Sequence, residues 1–154
     1  MTFQGEMPLF RLRSGDGQDR GTLDAWQRRD MVIALLHGSD CQRCREFLAG
    51  AAARAGAWWS EEIAFFAVQR APSHPSVARY VLLDPDGARW AQVSRVAGVG
   101  GNRAAVVIAN RFGELCAALD PHSADAGEML AEVESWLDLA QRQCGECQPP
   151  LQWE

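Results

Sequence analysis

Six consecutive apolar residues, Met31-Val32-Ile33-Ala34-Leu35-Leu36, constrain the fold most, because they show no alternation. A strand with one wet face has a two-residue rhythm, whereas an unbroken apolar run of strand length needs cover on both faces. The run therefore predicts the centre of a sheet. The loop His37-Gly38-Ser39-Asp40 follows, and then Cys41-Gln42-Arg43-Cys44 opens an amphipathic segment from Arg45 to Arg54. Cysteines at this spacing meet across the first turn of a helix, so one thiolate can attack a foreign disulfide and the other can release it. A CxxC at a strand-to-helix junction reads as a redox site, with metal binding and an inert pair as the alternatives.

The rest of the chain frames that junction. Leu9 to Arg13 alternates into the turn Ser14-Gly15-Asp16-Gly17, as a short strand does, and Thr22 is placed to cap a short helix over Leu23 to Arg28. The CxxC helix is expected to run to about Gly56 or slightly beyond. Ile63 to Val68 gives a second buried strand and Tyr80 to Leu83 a third, which the turn Asp84-Pro85-Asp86-Gly87 ends. Ala88 to Val96 suits a helix. Ala105 to Ala109 and Glu114 to Ala118 flank the turn Asn110-Arg111-Phe112-Gly113 as a hairpin. From Asp125 to Gln143 the residues Met129, Leu130, Val133, Trp136, Leu137 and Ala140 fall on one helical face, with Asp125 and Glu128 spaced for a capping box. Residues 1–143 thus read as one domain and 144–154 as a tail bearing a second CxxC.

With 154 residues, 47% of them hydrophobic, the chain has the size of one ordinary domain. A net charge of −5 leaves no basic field for phosphate backbones, so nucleic acid is excluded as a general partner. No run approaches the roughly 20 apolar residues that span a bilayer, and the first residues carry neither a basic nor an apolar signal region. The expectation is a cytoplasmic protein without a membrane partner. In a reducing compartment, paired cysteines are catalytic, redox-sensing or metal-binding more often than structural.

At the helix start, free backbone N–H groups and the positive dipole end favour a Cys41 thiolate, and Arg43 and Arg45 add positive charge. Asp40 either raises that thiol by like-charge repulsion or caps the helix, and the cap is preferred. Cys44, one turn in, is expected to be the sheltered thiol. His37 either shuttles a proton to a leaving thiol or packs at the strand end, packing being preferred. His74 and His122 lie in proline-containing loops and read as surface residues. Cys116 reads as a small core residue. Cys144 and Cys147 have three readings: a relay to the first pair, exposed thiols without a role, or half of a zinc site of Cys41, Cys44, Cys144 and Cys147. Trp153, behind Pro149 and Pro150, could pin the tail to the body or to a second subunit in a homodimer.

The order of hairpin, strand, CxxC, helix, strand, helix-bearing segment, hairpin and closing helix resembles the thioredoxin-like fold. Three stretches make the chain look like the branch of peroxiredoxins and the alkyl hydroperoxide reductase/thiol-specific antioxidant family: Met31 to Cys44, Tyr80 to Gly87 with its following helix, and Ala104 to Leu115. The resemblance implies an α/β three-layer sandwich, a central mixed sheet with helices on both faces and an N-terminal β-hairpin. It implies no cofactor, and a protein or small-molecule thiol or disulfide as the substrate partner. Peroxiredoxins carry Pro-x-x-x-Thr-x-x-Cys, whereas this chain has Ala34 and Gly38 at those positions before Cys41. Thioredoxins place a cis-proline before the hairpin, where this chain has Ala104-Ala105, for which a trans peptide is expected. Their buried acid falls near Leu35. The expected activity is thiol–disulfide exchange, with an atypical thiol peroxidase and a non-catalytic zinc-binding module as alternatives.

Overall fold

The computed structural model describes residues 3–38 and 40–147, the side chains of 143–147 excepted. Its elements are β1 (Leu12–Arg13), β2 (Asp19–Arg20), α1 (Thr22–Ala25), β3 (Asp30–Leu35), α2 (Gln42–Ser60), β4 (Ile63–Gln69), a 3-10 helix (Pro75–Tyr80), β5 (Val81–Leu83), α3 (Ala88–Val96), β6 (Ala105–Ala109), β7 (Leu115–Leu119) and α4 (Ala126–Cys147). The main sheet has the order β5-β4-β3-β6-β7. β3, β4 and β5 run parallel, while β6 is antiparallel to both β3 and β7. The small antiparallel pair β1-β2 forms the N-terminal hairpin.

β3 lies at the sheet centre with every residue buried. Its side chains divide between two cores by the period of the pleat. Val32, Ala34 and Leu36 join Phe47, Leu48 and Trp58 of α2 and Met129, Leu130, Val133 and Leu137 of α4. Met31, Ile33 and Leu35 join Met7, Phe10, Val93 and Ala97 on the other face. The unbroken apolar run is therefore explained by two helix-covered faces, which make a three-layer sandwich. Among the described residues, no helix is long and apolar enough to cross a membrane.

Several boundaries differ from the pattern reading for local reasons. β1 is shorter than Leu9 to Arg13 because the N–H of Phe10 donates to Thr22 Oγ1 at 3.0 Å and its carbonyl accepts from the Leu23 N–H at 3.3 Å, so those groups are not free for a ladder. Thr22 is the first residue of α1 rather than its cap, its hydroxyl donating to the Pro8 carbonyl at 2.7 Å. α1 stops at Ala25, and Gln27 already has a φ of 66°. The α4 capping box is present: the Glu128 N–H donates to Asp125 Oδ1 at 2.9 Å, and the Asp125 N–H donates to Glu128 Oε1 at 3.4 Å. α4 runs through Cys147, four residues past Gln143, so its range takes in the second CxxC. Its first residues after Gln143 contain no proline, and Pro149 is the next helix-breaking residue of that type.

Candidate active site

The site lies where β3 ends and α2 begins. The N–H of Leu36 still donates to the Val68 carbonyl at 3.2 Å, after which the chain leaves the sheet and His37 is exposed. Gly38 has a φ of 124°, where a side chain would be strained, and its carbonyl accepts from the Cys41 N–H at 3.2 Å. This tight turn sets Cys41 at the mouth of α2.

Cys41, and not Asp40, is the N-cap. Its backbone is extended (φ −98°, ψ 110°), and its carbonyl accepts the first helical bond, from the Arg45 N–H at 3.0 Å. The sulfur occupies the place of a capping oxygen and accepts from the Cys44 N–H at 3.4 Å. Asp40 is an exposed turn residue one position too early to cap. Cys44 is 1% exposed, and its sulfur accepts from the His37 N–H at 3.4 Å. Both thiols are free and face one small region from successive turns of the chain.

Two imidazoles complete that region. His122 Nε2 lies 3.2 Å from Cys41 Sγ, and His122 Nδ1 lies 3.5 Å from Asp120 Oδ1. The same carboxylate oxygen accepts the His122 backbone N–H at 2.8 Å, which fixes the loop that presents the ring. The His37 ring stacks between His122 (centroids 5.6 Å apart) and Trp90 (6.4 Å), with Nε2 at 2.5 Å from the Asn102 carbonyl. Arg43 Nη1 donates to the Ala124 carbonyl at 2.6 Å, tying the first turn of α2 to the loop that carries His122. One ligand atom from each of His37, Cys41, Cys44 and His122 lies within 4.8 Å of the others.

The two thiols differ in acidity. Burial opposes ionisation of Cys41, but hydrogen bonds from Cys44, His122, the Cys44 amide and His37 outweigh it and hold the thiol at about 6, against an ordinary 9.0. Burial pushes the Cys44 thiol up to about 12, and the hydrogen bond and charge of Cys41 act in the same direction. At neutral pH the pair therefore has one partly exposed thiolate and one buried thiol, the asymmetry that sequential disulfide exchange requires.

His37 packs just past the end of β3, its ring stacked on Trp90 and His122, and lies at the site; His122 is exposed, in keeping with the surface reading, and also reaches Cys41. His74 sits apart, capping the 3-10 helix through Nδ1, which accepts from the Ser76 N–H at 3.1 Å. Cys116 is half-buried on β7, packed against the edge of the α2/α4 core. The Ala104-Ala105 peptide, at the start of β6, is trans. The side chains of Cys144 and Cys147, and with them the relay and four-thiolate zinc readings, lie outside the described residues. So does Trp153.

No protein-family model matches the chain, and no curated protein matches it in sequence. Solved structures do match in shape. The peroxidoxin BcpB of Mycobacterium tuberculosis superposes with a TM-score of 0.70 at 13% identity, covering 90% of this chain and 97% of that one. The AhpC of Enterococcus faecalis gives 0.67 at 15% identity, with 92% and 96% covered. A putative protein disulfide isomerase from Bacteroides thetaiotaomicron gives 0.61 at 13% identity, with 90% and 95% covered. With β3 central, CxxC at the mouth of α2, helices on both faces and an N-terminal hairpin, the chain has the thioredoxin-like fold in the form that peroxiredoxins and thiol–disulfide oxidoreductases share.

Proposed function

We propose that the protein is a thiol–disulfide oxidoreductase in which Cys41 attacks and Cys44 resolves. The observation that carries this reading is the contrast within one helical turn: Cys41, partly exposed and 3.2 Å from His122 Nε2, against Cys44, buried beneath it. With the shared proton on His122 and the charge on Cys41 Sγ, the thiolate attacks one sulfur of a substrate disulfide. A mixed disulfide forms, the second substrate sulfur leaves, and His122 supplies its proton. The imidazole, now a base, takes the proton of Cys44, whose sulfur attacks Cys41 Sγ and releases the first substrate sulfur, which is protonated in turn. The net result is oxidation of the dithiol to a Cys41–Cys44 disulfide and reduction of the substrate to two thiols. Two electrons move, and the protons balance. The substrate class is a protein or small-molecule disulfide, which the fold's oxidoreductase members support.

Hydrogen peroxide as the oxidant is the competing chemistry, since peroxidoxins share the fold. Ala34 and Gly38 in place of the peroxidase proline and threonine argue against it. Insulin reduction driven by dithiothreitol should proceed with the natural protein and stop in Cys41→Ser. Efficient peroxide consumption that persists in Cys44→Ser, without insulin reduction by the natural protein, would replace this proposal with the peroxidase.

A further inference from the structure

The four donors around Cys41 match a second kind of chemistry that does not depend on disulfide exchange. We propose that the reduced protein binds one zinc-class divalent ion through His37, Cys41, Cys44 and His122. Two sulfurs and two imidazole nitrogens form the tetrahedral donor set that zinc prefers, with Zn–S near 2.3 Å and Zn–N near 2.0 to 2.1 Å. A tetrahedron of those bond lengths has ligand–ligand edges of roughly 3.3 to 3.8 Å. The four atoms here span no more than 4.8 Å, so contraction by about 1 Å closes the set. His37 and His122 are exposed and sit on loops rather than in the sheet, so that contraction falls on side chains and loop backbone.

The surroundings are those of ligands and not only of neighbours. Each imidazole already has one nitrogen against an oxygen acceptor: His37 Nε2 faces the Asn102 carbonyl at 2.5 Å, and His122 Nδ1 faces Asp120 Oδ1 at 3.5 Å. A proton on each of those nitrogens leaves a lone pair on the other nitrogen of each ring, which for His122 is Nε2, 3.2 Å from Cys41 Sγ, and a carboxylate behind a ligating histidine is a recurrent outer-shell arrangement. Each sulfur accepts a backbone N–H, Cys41 from Cys44 and Cys44 from His37, both at 3.4 Å, which offsets thiolate charge around the ion. Zinc would take the position of the proton that Cys41 and His122 share. Oxidation to the Cys41–Cys44 disulfide removes two of the four donors, so binding belongs to the reduced state alone. The ion and a substrate disulfide then compete for the same sulfur.

Zn2+ alone is the probe, titrated into the full-length, chelator-treated, reduced protein against a chromogenic competitor. One ion per chain is expected, with no binding to the disulfide form. His37→Gln combined with His122→Gln should lose the site. Asp120→Asn should weaken it by roughly 10- to 100-fold. Cys144→Ser combined with Cys147→Ser should keep both stoichiometry and affinity. Co2+ in place of Zn2+ should give the intense d–d absorption of a tetrahedral site. Equal affinity in the double histidine variant, equal binding by the disulfide form, or loss of the ion when Cys144 and Cys147 are replaced would each overturn the assignment. Because insulin reduction is measured on metal-free protein, failure of the zinc site leaves the exchange reaction standing, and the reverse also holds.

Discussion

Cys41 occupies a position where serine, threonine, asparagine or aspartate commonly supplies an oxygen to the first turn of a helix. A thiolate there receives the Cys44 amide at 3.4 Å and faces His122 at 3.2 Å, so its acidity is built from local bonds. Its thiol, held at about 6, should make iodoacetamide labelling of Cys41 in chelator-treated protein rise with pH to a midpoint near that value, because lowering the pKa moves the thiolate to lower pH. In denaturant the midpoint should return toward the ordinary 9.0. His122→Gln removes one of the bonds that lower the pKa, so the midpoint should move upward and the rate at pH 6 should fall severalfold. A midpoint unchanged by that substitution would remove His122 from the site. Asp40 gives a complementary case. Replacing a true N-cap aspartate by alanine costs about 1 kcal/mol. An exposed turn residue is worth within about 0.5 kcal/mol, and Asp40→Ala should fall in that smaller range by urea denaturation. A loss of a full kcal/mol would restore the cap to Asp40.

At the scale of elements, α2 serves as the platform that fixes the dithiol. It rests on Phe47, buried and packed edge-on against Phe65 of β4, and on Trp58, whose Nε1 donates to Glu134 Oε2 of α4 at 3.1 Å. Phe47→Ala should destabilise the protein by about 3 to 5 kcal/mol, read from the denaturation midpoint, because an aromatic volume is removed from a fully packed layer. A loss below about 1 kcal/mol would mean that α2 is held by something other than this contact. The elements legible in the sequence were those whose periodicity matched their burial. β3 and β4 showed continuous apolar runs, and α4 showed its stripe and its Asp125/Glu128 box. The N-terminal region is less legible, because the Phe10 N–H donates to Thr22 Oγ1 and no short-range pattern announces a bond across 12 residues. The α4 end was misplaced for a related reason: Gly145 weakens a helix without ending it.

The whole molecule accounts for what the sequence could not show about the site. Cys41 and Cys44 were legible as a local spacing, whereas His122 stands 81 residues from Cys41 in the chain. The connection is topological. β6 is antiparallel to β3 and β7 is antiparallel to β6, so β7 points the same way as β3 and the loop after it emerges at the same end of the sheet. A reader who trusted the hairpin at Ala105 to Leu119 could have carried Asp120 and His122 to the cysteines by that rule alone. Asn102 and Trp90, which position His37, need the path of the chain around α3 and leave no comparable trace in the sequence. The fold itself hosts both peroxide and disulfide chemistry, so the decision between them rests on the dithiol. The most direct measurement is single-turnover trapping: reduced, chelator-treated protein is mixed with less than one equivalent of glutathione disulfide, acid-quenched, and mapped by mass spectrometry. Natural protein should yield a Cys41–Cys44 disulfide, and Cys44→Ser should accumulate glutathione on Cys41. Glutathione on Cys44, or first reaction at Cys116, Cys144 or Cys147 with Cys41 left reduced, would contradict the assignment of Cys41 as the attacking thiol.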